Sequence, residues 1–210
     1  MEEKIIISLG GSLIVPNDID IEFLKEFKKL IISQIEKGKK FIIITGGGKT
    51  ARKYQDAAKE ISNPSNEELD IIGIKALNLN SELVNVLFKD FPGVAVHGAE
   101  KPGSSTDFGA VLLAKGNGSK KVINLSNIDY AYDKDPNKYP DAKKIEKISW
   151  SEYRSLIPAE WNPGLSTPFD PIASKLAEEE KLEVSILNGK NIANLEKCLN
   201  GEEFIGTKII

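Results

Sequence analysis

The chain has 210 residues, 40% of them hydrophobic and 28% charged, enough to bury a sizeable core as one or two domains. A formal net charge of −3 argues against a nucleic-acid partner, and with Glu2 and Glu3 where a signal sequence would be basic, a cytoplasmic protein is expected. The one cysteine excludes an intramolecular disulfide, no Cys/His cluster has zinc-binding spacing, and no apolar run approaches the length of a bilayer span.

In chain order, Ile5 to Leu9 reads as a buried strand and runs into Gly10-Gly11-Ser12. Leu24, Phe27, Leu30, Ile31 and Ile35 recur at helical spacing, and Gly38 supplies the stop. Phe41 to Thr45 is a second buried strand, leading into Gly46-Gly47-Gly48 and a helix from about Thr50 to Ile61. Asn63-Pro64-Ser65-Asn66 breaks that helix, and Glu67 to Phe88 forms the next. Val94 to His97 is a short strand, with His97 read as structural; Lys101 to Thr106 is a loop, and a helix follows through Ala114. After a strand from Val122 to Leu125, residues 130–148 are rich in Lys, Asp, Pro and Tyr and read as an exposed excursion. Asp170 begins a helix through Glu180, Val184 to Leu187 form a strand, and Ile192 to Leu199 close with a helix on which Cys198 packs. This alternation predicts the α/β class, a mainly parallel sheet covered on both faces.

Each glycine cluster ends a buried strand, and the second opens a helix. Glycine lets the backbone approach a ligand, helix N-terminal N–H groups lack partners, and the helix dipole favours an anion. With Lys49 and Arg52 beside the second cluster, two such clusters predict phosphates handled at two places. Neither standard loop fits. A Walker A motif ending in Gly48-Lys49-Thr50 needs glycine at Ile43, and a dinucleotide fingerprint starting at Gly46 fails at Ala51.

Leu9-Gly10-Gly11-Ser12, then Gly46-Gly47-Gly48-Lys49-Thr50-Ala51-Arg52, then Asn127-Ile128-Asp129 with Tyr132 and Asp135-Pro136, then Asp170-Pro171-Ile172-Ala173 stand in a telling order. The set resembles the amino acid kinase superfamily, most nearly its archaeal-type uridylate (UMP) kinases, over nearly the whole chain. The resemblance implies a three-layer αβα sandwich in a single domain over 1–210. About 1–115 would bind the phosphoryl acceptor and about 116–210 ATP, with the two phosphates meeting over the carboxyl ends of the central strands. It further implies phosphoryl transfer from ATP to UMP in pyrimidine biosynthesis, Mg²⁺ carried on the ATP without a dedicated protein cage, and a homo-oligomer, either a dimer or a hexamer of dimers. A nucleoside monophosphate is already largely dianionic near neutral pH, with a second pKa of about 6, so the chemistry needs no general base.

By the same resemblance, Ser8, Leu9, Gly10, Gly11, Ser12, Gly48 and Arg52 line the ATP phosphates, and Ser126, Asn127, Tyr132 and Asp135 the ATP base and ribose. Gly46 and Gly47 face the acceptor phosphate, Asp70 holds its ribose hydroxyls, and Glu100, Lys101, Pro102, Gly103, Ser104, Ser105 and Thr106 surround it. Arg52, Lys49 and Asp170 are the catalytic set. Four departures stand out: Ser8 where the wider superfamily has lysine, Asn78 for an arginine, Tyr130 for a glycine, and a short connection from Phe88 to Val94. They keep two further readings open: a kinase of the same superfamily for another small phosphate or carboxylate acceptor, and a non-catalytic nucleotide-binding regulatory module. Ile31, Ile32 and Ile35 predict a dimer face on the first long helix.

Overall fold

Along β1 (Lys4–Leu9) successive isoleucines face opposite ways, and the core divides with them. Ile7 and Leu9 join one apolar cluster with Phe41 and Ile43 of β2 (Lys40–Thr45), beneath α2 (Ile21–Glu36) and α8 (Ile192–Asn200). Ile6, Ile42 and Ile44 join the other, beneath α5 (Thr106–Asn117) and α7 (Pro171–Glu179). Helices on both faces of one sheet make a three-layer αβα sandwich. The computed structural model describes residues 4–99, 105–136, 138–160 and 167–210.

The sheet runs β3 (Val94–His97), β2, β1, β4 (Lys121–Ser126), β8 (Glu183–Asn188), β9 (Thr207–Ile209) and β7 (Lys147–Ile148). The strands from β3 to β8 are parallel; β9 runs antiparallel to β8, and β7 parallel to β9. The central strands are buried on both faces, which explains their near-continuous apolar runs. Because Leu9 pairs with both Thr45 and Leu125, the chain leaves β1, β2 and β4 at one level. There it enters α1 (Gly11–Ile14), α3 (Gly48–Ile61) and the segment leading to the small hairpin of β5 (Ala131–Tyr132) and β6 (Lys144–Ile145). Ser65 and Glu68 close a capping box on α4 (Asn66–Phe88), each side chain accepting from the other's backbone N–H. The connection from α4 to β3 is tight, with Phe91 N–H donating to Phe88 O and Val94 N–H to Phe91 O.

Four expectations need correction. The excursion at 130–148 is not wholly external, since Ala131 is buried and β7 joins the main sheet. The helix after the second glycine cluster starts at Gly48 rather than Thr50. Ile31 is fully buried, and Ile32 and Ile35 pack against its cluster, so that side of α2 faces the core. On α4, by contrast, Ile71, Leu79 and Val86 are exposed. Finally, α4 is long and apolar enough to cross a bilayer by length and composition. It is instead seated on the sheet through Leu77, Val84 and Phe88.

Candidate active site

The two glycine clusters form one floor rather than two places. A Cβ on Gly11 would lie 2.1 Å from Gly48 N and 2.5 Å from Gly46 C, and one on Gly46 would lie 2.7 Å from Gly11 N. Gly48 also needs glycine for its backbone, with φ of +62°. Register brings the clusters together: Gly46 N–H donates to Leu9 O at 3.0 Å, and Gly10 N–H to Leu125 O at 2.9 Å. Ser126 borders the same floor, its Cα 3.8 Å from where a Cβ on Gly10 would sit.

Helix α4 holds this floor from behind. Asn80, buried, donates through Nδ2 to Gly46 O at 2.8 Å and Gly47 O at 3.2 Å. Thr45 and Ser81 join hydroxyls at 2.7 Å. With the loop carbonyls drawn toward α4, the first-turn N–H groups of α3 are the loop's remaining donors, except that Lys49 N–H is taken by Val15 O at 3.1 Å. Such an N-terminus favours an anion. Asn78 clamps the chain beyond β3: Ala99 N–H donates to its Oδ1 and its Nδ2 donates to Ala99 O, both at 3.1 Å.

A second group of polar side chains stands where β1, α5 and α7 meet. Ser8, almost fully buried, donates to Asp107 Oδ1 at 3.2 Å, and the other Asp107 oxygen accepts from Asp170 N–H at 3.1 Å. Asp170 caps α7 by accepting from Ala173 N–H at 2.7 Å, and Ser105 both caps α5 and bonds to the Asp170 carboxyl. Tyr153, on α6 (Trp150–Leu156), fixes the segment before Asp170 by donating to Phe169 O and accepting from Phe169 N–H. Burial raises Asp170 above the usual carboxylate range. Burial likewise pushes Asp107 up to about 7, with repulsion from Asp170 adding to it and the bonds from Asp170 N–H and Ser8 opposing it.

The sign of the Asp107 shift gives a prediction. In the folded chain its proton is held to higher pH than in the unfolded chain, so stability falls as pH rises from about 4 to about 7. Asp107→Asn removes that penalty while keeping an acceptor for Asp170 N–H. Without nucleotides, it should be more stable than the parent near pH 8 by about 1–3 kcal/mol, the gap closing toward pH 4. Urea titrations at the two pH values check this; an equal gap at both would show that the Asp107 carboxyl titrates alike in the folded and unfolded chain.

Most of the residues singled out from sequence do lie on this end of the sheet. Lys49 is half-buried in the first turn of α3, and Arg52, one turn on, is exposed. Asp70 is half-buried on α4 and is not that helix's cap, which is Ser65. Ser126 ends β4 and Asn127 follows it, Tyr132 lies on β5, and Asp135 is exposed beyond it, with Lys138 at 3.6 Å. Thr106 begins α5. Glu100, Lys101, Pro102, Gly103 and Ser104 lie outside the described residues. Asp107 was missed, because an acid in a helix's first turn reads as a response to the helix dipole. His97, read as structural, ends β3 opposite Ile44; its side chain is exposed and its carbonyl accepts from the Ser81 hydroxyl at 3.3 Å. Among the described residues no group of three or more His, Cys, Asp or Glu side chains converges to hold a metal.

A parallel αβα sheet whose central carboxyl ends carry glycine turns, a helix N-terminus and paired carboxylates defines a phosphate-handling α/β protein. The amino acid kinase family model matches residues 3–98 and 73–188, and the chain belongs to that family. It is 34% identical to the uridylate kinase of Thermoplasma volcanium, covering 100% of this chain and 98% of that one, and 32% identical to the uridylate kinase of Methanobrevibacter smithii, covering 99% of each. The crystal structure of uridylate kinase from Archaeoglobus fulgidus superposes with a TM-score of 0.83 at 29% identity, covering 99% of this chain and 100% of that one.

Proposed function

We propose that this chain transfers the terminal phosphoryl group of ATP to UMP, giving ADP and UDP. The observation that carries the reading is the backbone contact of the two glycine clusters, which supports taking them as the donor and acceptor phosphate loops of one floor. In the transfer a UMP phosphate oxygen forms the new bond to the γ-phosphorus as its bond to the β,γ-bridging oxygen breaks, and ADP leaves with that electron pair. No proton need be removed, so charge neutralisation and alignment supply the catalysis.

The ATP phosphates lie along Ser8 to Ser12 and Gly48, the acceptor phosphate against Gly46 and Gly47, and Lys49 and Arg52 neutralise the transferring group. Asp70 takes the UMP ribose hydroxyls, with residues 100–106 around its phosphate. Ser126, Asn127, Tyr132 and Asp135 take the adenosine end, so that about 1–115 serves the acceptor together with the donor's phosphates and about 116–210 the donor's adenosine. Asp170 and Asp107 order the centre through Ser8 and Ser105. Mg²⁺ enters as the ATP complex, for which hard carboxylate oxygens at Asp107 and Asp170 are suitable partners. The protein acts in the cytoplasm as a homo-oligomer, and the exposed Ile71, Leu79 and Val86 of α4 form its contact face.

A coupled ADP-release assay over UMP, CMP, dUMP, isopentenyl phosphate, acetylglutamate and carbamate tests this. UMP should be the best acceptor, with some acceptor-free ADP release because the Phe88–Val94 connection is a tight turn rather than a cover. Turnover confined to a non-nucleotide acceptor moves the chain to another branch of its family, and tight ATP binding without turnover makes it a regulatory module.

A further inference from the structure

At the opposite end of the sheet, a cavity of about 560 Å³ lies between the amino ends of β1, β4 and β8 and the last turn of α8. That volume suits a small metabolite. It is some six strand residues from the glycine floor, about 20 Å along β1. Ile5, Ile123 and Leu199 give it an apolar wall, beside the hydroxyl of Ser185 and the thiol of Cys198. Four ammonium groups line it, Lys4, Lys39, Lys121 and Lys208, against two carboxylates, Glu183 and Glu202.

Each charge can be followed. Lys39 donates to Gln34 Oε1 and Leu199 O at 2.6 Å and to Asn200 Oδ1 at 3.2 Å, so it answers the carbonyl end of α8. Lys208 stands 3.4 Å from Glu183, and Glu202 accepts from Asn200 at 3.2 Å. Lys4 has only the neutral Asn117 Oδ1, at 3.1 Å, and the Lys121 ammonium has no hydrogen bond or ion pair among the described residues. Behind Lys39, Gln34 is fully buried with its Nε2 lacking any partner. This corner therefore has more donors than acceptors and more positive than negative charge.

We propose that the cavity is a second anion site, which takes a small organic phosphate with its oxygens toward Lys4, Lys121 and Lys208 and its body against Ile123 and Leu199. A phosphate suits three point-like ammonium groups better than a single-charged carboxylate does. The site stands independently of the transfer reaction, since it shares no residue with the glycine floor.

Cys198 is the chain's one thiol and lies in the cavity wall, so its alkylation by iodoacetamide, followed by intact mass, reports occupancy. Ribose 5-phosphate is the probe, with inorganic phosphate beside it. Ribose and sodium chloride at matched ionic strength are the controls. The phosphate ester should slow alkylation saturably, about ten-fold at ten times its dissociation constant, while the controls leave it unchanged. Lys121→Gln with Lys208→Gln should abolish the protection, and Arg52→Ala should leave it intact. If the double variant melts low, Lys121→Gln alone carries the same expectation. No slowing by either phosphate, slowing undiminished in the lysine variants, or slowing lost in Arg52→Ala would each overturn the proposal.

Discussion

Gly11→Ala should lower transfer on the order of 10²-fold or more and lower the melting temperature, although it adds one methyl group. That methyl would meet Gly48 N at 2.1 Å and Gly46 C at 2.5 Å, both backbone atoms that cannot rotate away. Either α1 or the start of α3 must move, and overpacking of this kind costs about 1–3 kcal/mol. For a chain of this size that lowers the melting temperature by roughly 2–4 °C per kcal/mol. The kinetic loss is larger, because misplacing phosphate loops by about 1 Å costs on the order of 10²-fold or more. Gly116→Ala is the matched control: it lies in α5 with nothing within 4 Å of its added Cβ. Its expected effect is a gain of about 0.5–1 kcal/mol in stability and unchanged kinetics. Calorimetry and steady-state rates on both variants settle the contrast. Normal turnover in Gly11→Ala would show that the two loops do not act together.

Arg52→Ala should lower kcat on the order of 10²-fold or more, the size expected when a charge clamp on a transferring phosphoryl group is removed. Its side chain is exposed on α3, so stability should change by no more than about 0.5 kcal/mol. On the proposed reading the charge that meets the transferring group falls to Lys49 and Arg52, with Lys49 half-buried in the first turn of α3. Arg52→Lys should restore only part of the rate, because an ammonium keeps the charge but loses the planar fork that meets two phosphate oxygens. A kcat near normal in Arg52→Ala would reduce Arg52 to a surface charge.

The five central strands were legible because burial on both faces demands unbroken apolar runs such as Ile5-Ile6-Ile7 and Ile42-Ile43-Ile44. The glycine clusters were legible as turns that end buried strands, but not as neighbours. Their contact follows from the pairing of β1 with β2, Leu9 opposite Thr45, and register is a tertiary fact. The strands β7 and β9 escaped because two or three residues carry no periodicity. Helix α6 did leave a signal, the capping box of Ser149 with Glu152, which the charge-rich surroundings hid. Asp107 had none of its own; only packing beside Ser8 and Asp170 separates it from any first-turn acid. The surplus apolar surface was placed on α2 because Ile31, Ile32 and Ile35 crowd one side, yet α8 and β3 supply neighbours that periodicity alone cannot count.

Donor and acceptor phosphates that share one floor can be reached by a single ligand. A bisubstrate analogue, uridine and adenosine joined 5′ to 5′ through a polyphosphate chain, tests that directly by titration calorimetry. It should bind one per chain, far more tightly than either ATP or UMP, because the second half binds at high effective concentration. It should also exclude both nucleotides and lose this advantage in Gly11→Ala. An analogue that binds no more tightly than ATP, and leaves UMP free to bind beside it, would contradict the account.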